Sequence, residues 1–528
     1  MHPPLNLDSI NDFPIPKSNR GAGTALHEKI VEIADLIFIT SILLIIMSPE
    51  PMDARCVDDD HIAPKPQQDT GSKKLELLSN GYYYDVTSFV ERHPGGPIIQ
   101  MYLNNCEDAT QAIQQFHARS RKRVDAIMNS FPKRKATDAD LIQTWGPDRV
   151  ERHRALTRDF ESLYKELQDD GLFEPSLSHV LMRYLEITTI GSLGLYLFSA
   201  GYTAIGVAFV CWAAGRSTWF VHEAGHHSLT GKPWLDRWMQ SHIYGIYCGC
   251  SGASWRNHHS QHHAMPQHIH NDIDLHTLPL FAFHERVVTK KEQFGFFVKY
   301  QKYFIYIIQS SIMGFYWKWV EDPVYAWKNG YYWDLVHMGI HQIFVYKLGL
   351  PLYLLSGCIV LSYMVLQATL SHTHLPITED PTHWVEYGLV HTANVRSSWW
   401  VDYIMGYLNY QIEHHLFPTM PQFRNKLAAK RVKELARKHG LPYHLYDYKT
   451  IVIKTLTNLS NVSDDVEKRI KQEEKQEMKV AQMKNSGNNH AGDGNNKEVV
   501  GMNKKMLIKK ESGLIESIVK DMKLHKIF

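Results

Sequence analysis

The chain has 528 residues, 44% hydrophobic and 12% aromatic, enough for one large or several modest domains. A formal net charge of +2 and a pI near 8.1 provide no polybasic surface, which excludes nucleic acid as a partner. Six cysteines (Cys56, Cys106, Cys211, Cys248, Cys250, Cys358) follow no framework spacing, and Cys248-Gly249-Cys250 lacks the two-residue gap of a redox or zinc pair; a disulfide scaffold is excluded and the thiols read as reduced, facing cytosol or lipid.

Residues 1–73 carry few structural signals. Their one apolar run, Leu36 to Met47, is about twelve residues long against the roughly 20 a bilayer requires. Glu28, Glu32 and Asp35 before it, and the lack of a small-x-small cleavage site, argue against a signal peptide and leave an interfacial extension. From 74 to 150 the pattern is that of a small α+β domain, with alternation in Gly81-Tyr82-Tyr83-Tyr84-Asp85-Val86 followed by amphipathic helical turns. The basic stretch Lys133-Arg134-Lys135-Ala136-Thr137-Asp138 reads as a linker, and a charged amphipathic helix follows at 148–170.

Apolar residues then concentrate between about 180 and 370. Segments 183–200 and 202–221, joined through Ser199-Ala200-Gly201, are each near bilayer length and predict a transmembrane hairpin; a second pair, 335–350 and 351–370, breaks at Gly349-Leu350-Pro351. Between the pairs, the aromatic-rich stretches 231–250 and 296–320 predict helices lying in the membrane interface. Residues 456–528 are Lys/Glu-rich, then Asn/Gly-rich, and predict a disordered tail with a weak helix near its end. The domain plan is thus an extension at 1–73, a small domain at 74–150, a mainly helical membrane domain at 151–455, and the tail.

Glu91-Arg92-His93-Pro94-Gly95-Gly96 places a histidine before a tight turn, and a second histidine, His117, ends the helical pattern that starts near Asp108. The plain reading is a turn residue and a surface helical residue; the combination with Tyr84-Asp85-Val86-Thr87 outweighs it. This region resembles cytochrome b5, and the resemblance implies that His93 and His117 are the axial ligands of a b-type haem. Bis-imidazole ligation leaves no open iron position, so such a haem passes single electrons only.

Three further clusters carry more imidazole than packing needs. In His222-Glu223-Ala224-Gly225-His226-His227, His222 and His226 lie four apart on one helical face at the end of an apolar segment. In His259-Ser260-Gln261-His262-His263, all three histidines share a broad face, with His258 as a further candidate. The third cluster is His414-His415, preceded by Gln411 where a histidine would complete the same spacing; Glu413 beside the pair is placed to orient an imidazole. His268, His270 and His276 have no matching spacing and read as solvated or structural. Structural zinc is disfavoured, because zinc takes four ligands and usually some thiolate, whereas imidazole-rich ligation also suits iron.

The histidine boxes in this order, Gln411 in the third, the run Leu408-Asn409-Tyr410-Gln411-Ile412-Glu413-His414-His415-Leu416-Phe417-Pro418 and the preceding haem signature resemble a cytochrome b5-fused front-end fatty acid desaturase over about residues 74–450. The chain is also similar to invertebrate cytochrome b5-related proteins. Box one departs from the common pattern in carrying Glu223 where Asp is frequent, and His227 as an extra.

The resemblance implies four transmembrane helices with a histidine-rich cytosolic cap, an endoplasmic-reticulum membrane location, and two iron ions held by His222, His226, His259, His262, His263, His414 and His415. It implies one more ligand from Ser371-His372-Thr373-His374, with His372 and His374 both open, and a water-holding role for Asn394. Electrons would come from NADH through a separate cytochrome b5 reductase, since the chain shows no dinucleotide-binding glycine pattern, and O2 would be the oxidant. An acyl-CoA or acyl-lipid chain would enter an apolar tunnel, with Trp255, Trp399 and Trp400 serving as interfacial anchors rather than tunnel lining. The competing readings are a sphingolipid desaturase or fatty acyl hydroxylase with the same boxes, and a non-catalytic haem- and lipid-binding membrane protein.

Overall fold

The computed structural model describes residues 74–488 except 105, 106 and 381; the apolar run at 36–47 lies outside the described residues. The chain divides into two units, 1–466 and 467–528.

The first unit opens on a hairpin, β1 (Glu76–Ser79) against β2 (Tyr82–Asp85), in register Glu76 to Asp85. Asn80 and Gly81 both take positive φ, 50° and 73°, the pair a two-residue hairpin turn requires. The stretch expected to be a linker is instead a third strand, β3 (Lys133–Lys135), antiparallel to β2. Its charged side chains have specific partners: Lys133 lies over the rings of Tyr82 and Tyr84, while Arg134 stacks on Tyr83 and forks onto both carboxylate oxygens of Glu76. Between β2 and β3 run the 3-10 helices Val90–Arg92 and Gly96–Tyr102, then helices α1 (Thr110–Phe116) and α2 (Arg121–Ser130).

Helix α3 (Asp138–Trp145) starts on a Thr137 capping box and stops at Gly146, whose φ of 77° suits glycine; Pro147 opens α4 (Pro147–Asp169), where its missing N–H costs nothing. Helix α4 buries Val150, Leu156, Phe160, Leu163 and Leu167 along one stripe, as the sequence pattern indicates.

The apolar segments form α5 (Leu177–Ser199), α6 (Thr203–Gly225), α9 (Tyr332–Leu348) and α10 (Leu350–Thr369), with α7 (Pro233–Ile243) and α8 (Gly252–Ala264) between the pairs. Among the described residues α6 and α10 are the helices long and apolar enough to cross a membrane. Helices α5 and α6 touch backbone to backbone: a Cβ on Gly206 would sit 2.5 Å from the Phe198 nitrogen, and one on Gly194 2.8 Å from the Val210 nitrogen. Gly349, at φ 75°, makes the expected break between α9 and α10. The stretch 296–328 is a chain of short α and π turns that exposes Phe296, Tyr303, Ile307 and Trp327.

After α10 come α11 (Trp384–Val390), the strand Ala393–Val395 (β4), α12 (Gln411–Leu416) and α13 (Asn425–Lys438). Strand β4 pairs in parallel with His444–Tyr446 (β5). Helix α14 (Tyr448–Asn488) replaces the disorder expected from 456. Up to Val466 it is held by burial of Leu459, Val462 and Val466 and by the Ser463 hydroxyl donating to the Val298 carbonyl, contacts that composition does not reveal. In the second unit the described residues 467–488 stay helical, with Lys471 reaching Glu467 at 2.9 Å.

One hydrophobic core joins the small domain to the helical domain: Leu77, Tyr84, Ile98 and Tyr102 pack in the same cluster as Phe160, Met265, Trp384, Leu416 and Phe417. The Tyr102 hydroxyl donates to the Ala264 carbonyl at 3.0 Å, beneath the second histidine cluster.

Candidate metal centre and haem pocket

His93 follows the Val90–Arg92 turn, and His117 ends α1. Their ring centroids lie 6.2 Å apart with planes at 86°. The Nδ1 of His93 sits 3.4 Å from the Gly96 carbonyl oxygen, which leaves its Nε2 for a ligand. Gly95 is required here, because a Cβ would come within 2.8 Å of His93 Cε1. Burial lowers the pKa of both rings; that of His117 falls to about 4, with His93 and Arg121 adding to the effect. Both imidazoles are therefore neutral at physiological pH, the form that ligates iron. On α1, the side-chain amide of Gln115 is fully buried with neither atom partnered. Paired neutral imidazoles beside a glycine cradle fit a haem.

The three boxes converge although they lie up to about 190 residues apart in sequence. His222 and His226 come from the end of α6, His259, His262 and His263 from one face of α8, and His414 and His415 from α12. They sort into two adjacent groups whose ligating atoms lie within 4.8 Å of one another: His222, His226, His259, His263 and His414 in one, His262, His372 and His415 in the other. His263 and His415 stack across the boundary with centroids 4.1 Å apart. Among the described residues, the buried Nε2 atoms of His226 and His372 have no hydrogen-bond partner. Burial, reinforced by neighbouring imidazoles, holds His259 and His263 far below the usual histidine pKa, so their lone pairs are available. Eight clustered imidazoles, five of them with a buried nitrogen that has no hydrogen-bond partner and, among the described residues, no thiolate beside them, fit two iron ions.

Around these rings is a layer of positioning contacts. Both carboxylate oxygens of the buried Asp272 face His262 Nδ1, at 3.0 and 3.1 Å, and Asp272 also accepts from the Gln267 and Asp274 main-chain N–H groups. Asp272 and Asp274 both face Nδ1, hold the ring's proton there and leave Nε2 toward a metal. The Gln422 side-chain amide lies 2.7 Å from His222 Nδ1, and His372 Nδ1 lies 3.0 Å from the His391 carbonyl oxygen. Such contacts fix tautomer and ring orientation. The Gln422 main-chain N–H donates to Glu223, so the box-one carboxylate anchors the 422 segment. Sequence spacing did not reveal Gln422, which is 200 residues from His222; Asp272, ten residues after His262, carried a weak signal as part of Asp272-Ile273-Asp274.

Several expectations are corrected. His374 stays outside both groups and packs on Tyr446, because His372 and His374 point apart where the chain turns after α10. Glu413 orients no imidazole: its oxygens accept from Asn394 Nδ2 and the Tyr443 hydroxyl, both at 2.8 Å, and burial pushes its pKa to about 7. Asn394 Oδ1 accepts from the Ile412 main-chain N–H, which fastens β4 to α12. Trp255 is no interfacial anchor, because its ring stacks on His259 with centroids 4.3 Å apart, and a Cβ on Gly225 would strike it. Trp399, by contrast, is exposed. His258 pairs with Glu321 at 2.9 Å, away from the groups, and His270 and His276 are exposed as expected, while His268 is buried.

Paired histidines in a small α+β domain, packed against a helical domain that gathers eight more, are the features of a haem- and metal-binding oxidoreductase. Residues 198–447 match the fatty acid desaturase family, and residues 67–139 match the cytochrome b5-like haem/steroid binding domain. The chain is 41% identical over 409 residues to an acyl-lipid (8-3)-desaturase of Rebecca salina, covering 75% of this chain and 93% of that protein. It is 39% identical over 422 residues to an acyl-lipid (8-3)-desaturase of a Thraustochytrium species, covering 75% and 94%. It is 28% identical over 403 residues to human fatty acid desaturase 3, covering 72% and 88%. The chain belongs to the fatty acid desaturase family and is a member fused to a cytochrome b5-like domain.

Proposed function

We propose that this protein is a front-end desaturase that inserts a cis double bond into a polyunsaturated acyl chain of a lipid. The observation that carries this is the pair of adjacent all-histidine groups in one core with a haem-type domain. His222, His226, His259, His263 and His414 would hold one iron, His262, His372 and His415 the second, and His93 and His117 a b-type haem. Bound there, the irons supply the O2-derived oxidant that an unactivated methylene C–H demands, and the haem supplies electrons one at a time.

The chain's own residues do the rest. Asp272 and Gln422 hold His262 and His222 in their ligating orientation. An apolar cavity of about 150 Å³, bordered by Leu195, Val210, Tyr247, Val360 and Met364, lies between the apolar helices and offers room for part of an acyl chain. Helices α5, α6, α9 and α10 form the membrane-spanning part in the endoplasmic reticulum; the apolar lengths of α6 and α10 support this, as do the exposed Leu181, Leu185, Ile343 and Leu355 on α5, α9 and α10. The histidine groups and the small domain face the cytosol, where a separate cytochrome b5 reductase delivers electrons from NADH. The two relatives near 40% identity are named acyl-lipid (8-3)-desaturases, so that activity on an acyl-lipid is the first to test.

The test is expression in yeast fed a panel of polyunsaturated fatty acids, with total lipids read by gas chromatography and mass spectrometry beside His262→Ala and His93→Ala variants. A new double bond that both variants lose supports the proposal. A hydroxylated product, or no product from a well-expressed, iron-loaded protein, refutes it.

A further inference from the structure

We propose that Trp384 is the electron bridge between the haem domain and the histidine groups, a role that rests on the haem and iron ligation proposed above. Phe116 immediately precedes His117, and its ring meets the Trp384 indole edge-on, with centroids 5.7 Å apart and planes at 87°. On the other side, Trp384 Nε1 donates to the Leu416 carbonyl at 3.3 Å, and Leu416 directly follows His415. One ring contact and one hydrogen bond therefore link the neighbour of a haem ligand to the neighbour of an iron ligand. Tunnelling weakens far more steeply across open gaps than through bonds and close contacts, so a continuous packed route carries the transfer.

The route is stiff, and it is dry from Trp384 onward, with Phe116 half-buried at its near end. Trp384, Leu416 and His415 are all buried. Gly388, one turn on from Trp384, lies so close to Leu416 that a Cβ would come within 2.7 Å of Leu416 Cδ2. A second junction joins the same regions, the Tyr102 hydroxyl on the Ala264 carbonyl next to His263, but Tyr102 is nine residues from His93 and serves to dock the domains. The transfer moves one electron and no proton: the haem iron passes from ferrous to ferric and an iron of the cluster from ferric to ferrous. The indole and the peptide group supply coupling without being oxidised.

The experiment uses the full-length, haem- and iron-loaded protein, oxidised and anaerobic. A laser flash on added deazaflavin with a sacrificial amine donor delivers one electron to the haem, and its reoxidation is followed in the Soret band. Trp384→Leu and Phe116→Leu are expected to slow reoxidation several-fold with unchanged resting Soret spectrum and haem midpoint potential. Trp384→Phe keeps more of the rate than Trp384→Leu, and Tyr102→Phe keeps all of it. Wild-type rates in both leucine variants, slowing by Tyr102→Phe equal to theirs, or no reoxidation in the wild type would each overturn the bridge. If Trp384→Leu loses haem or iron, Phe116→Leu decides. Dithionite with a viologen mediator feeds the cluster directly and should restore desaturation in Trp384→Leu. A wild type that desaturates nothing with either electron source refutes the enzymatic reading, while the haem kinetics still judge the bridge.

Discussion

At the residue scale, the structure turns two histidines that sequence leaves equivalent into opposites. His372 joins His262 and His415, whereas His374 packs on Tyr446. His372→Ala is expected to lower bound iron, measured by elemental analysis of the purified protein, and to abolish product; His374→Ala should keep both. Equal iron loss in the two variants would contradict the grouping. Asp272→Asn keeps the shape beside His262 but removes the charge that orients it, and a loss of about 10–100-fold in iron affinity or activity is expected. His93, His117 and seven of the eight clustered histidines stood out in the sequence as candidate ligands, the seven because close spacing within one helix is a local property. The partners of those rings were not, because Gln422, Trp255 and the choice between His372 and His374 depend on where other segments land.

At the element scale, the long apolar helices emerged near their expected limits, since bilayer-length apolar runs bounded by glycine leave few alternatives. What the pattern did not show is how closely α5 and α6 approach. Gly206→Ala sets a methyl against the Phe198 backbone, which side-chain rotation does not relieve, and a cost of about 1–3 kcal/mol is expected, read as a lower thermal midpoint in detergent. An unchanged midpoint would mean that the helices separate without penalty. Strand β3 and the early part of α14 were misread for one reason. Charged composition signals solvent exposure, yet Lys133 and Arg134 are satisfied by tyrosine rings and Glu76, and α14 finds its apolar partners far away in sequence.

At the scale of the whole molecule, the small domain is docked by a shared core, and Glu107 lies buried in the junction. Its carboxylate accepts from the Thr382 main-chain N–H and the Tyr387 hydroxyl, and burial raises its pKa from 4.5 to about 8. Folding thus takes up a proton where the unfolded chain is ionised and the folded one is not. Stability contributed here is full at low pH and falls as pH rises from about 4.5 to about 8. Glu107→Gln should flatten the difference between thermal midpoints at about pH 5 and about pH 8. A variant with the same pH dependence as the wild type would remove Glu107 from the account.

The sequence by itself determined the kind of chemistry: a haem-type histidine pair, three histidine boxes and two apolar helix pairs are local patterns, each written within one or two turns of backbone. Only the tertiary structure decided how those patterns become a site. It gathered eight rings into two groups, put His372 in one of them and His374 outside both, gave Asp272 and Gln422 their partners, and packed Trp384 between Phe116 and Leu416. Each of these depends on contacts between segments far apart in the chain, and such contacts follow from how whole surfaces pack, which no short stretch of residues encodes.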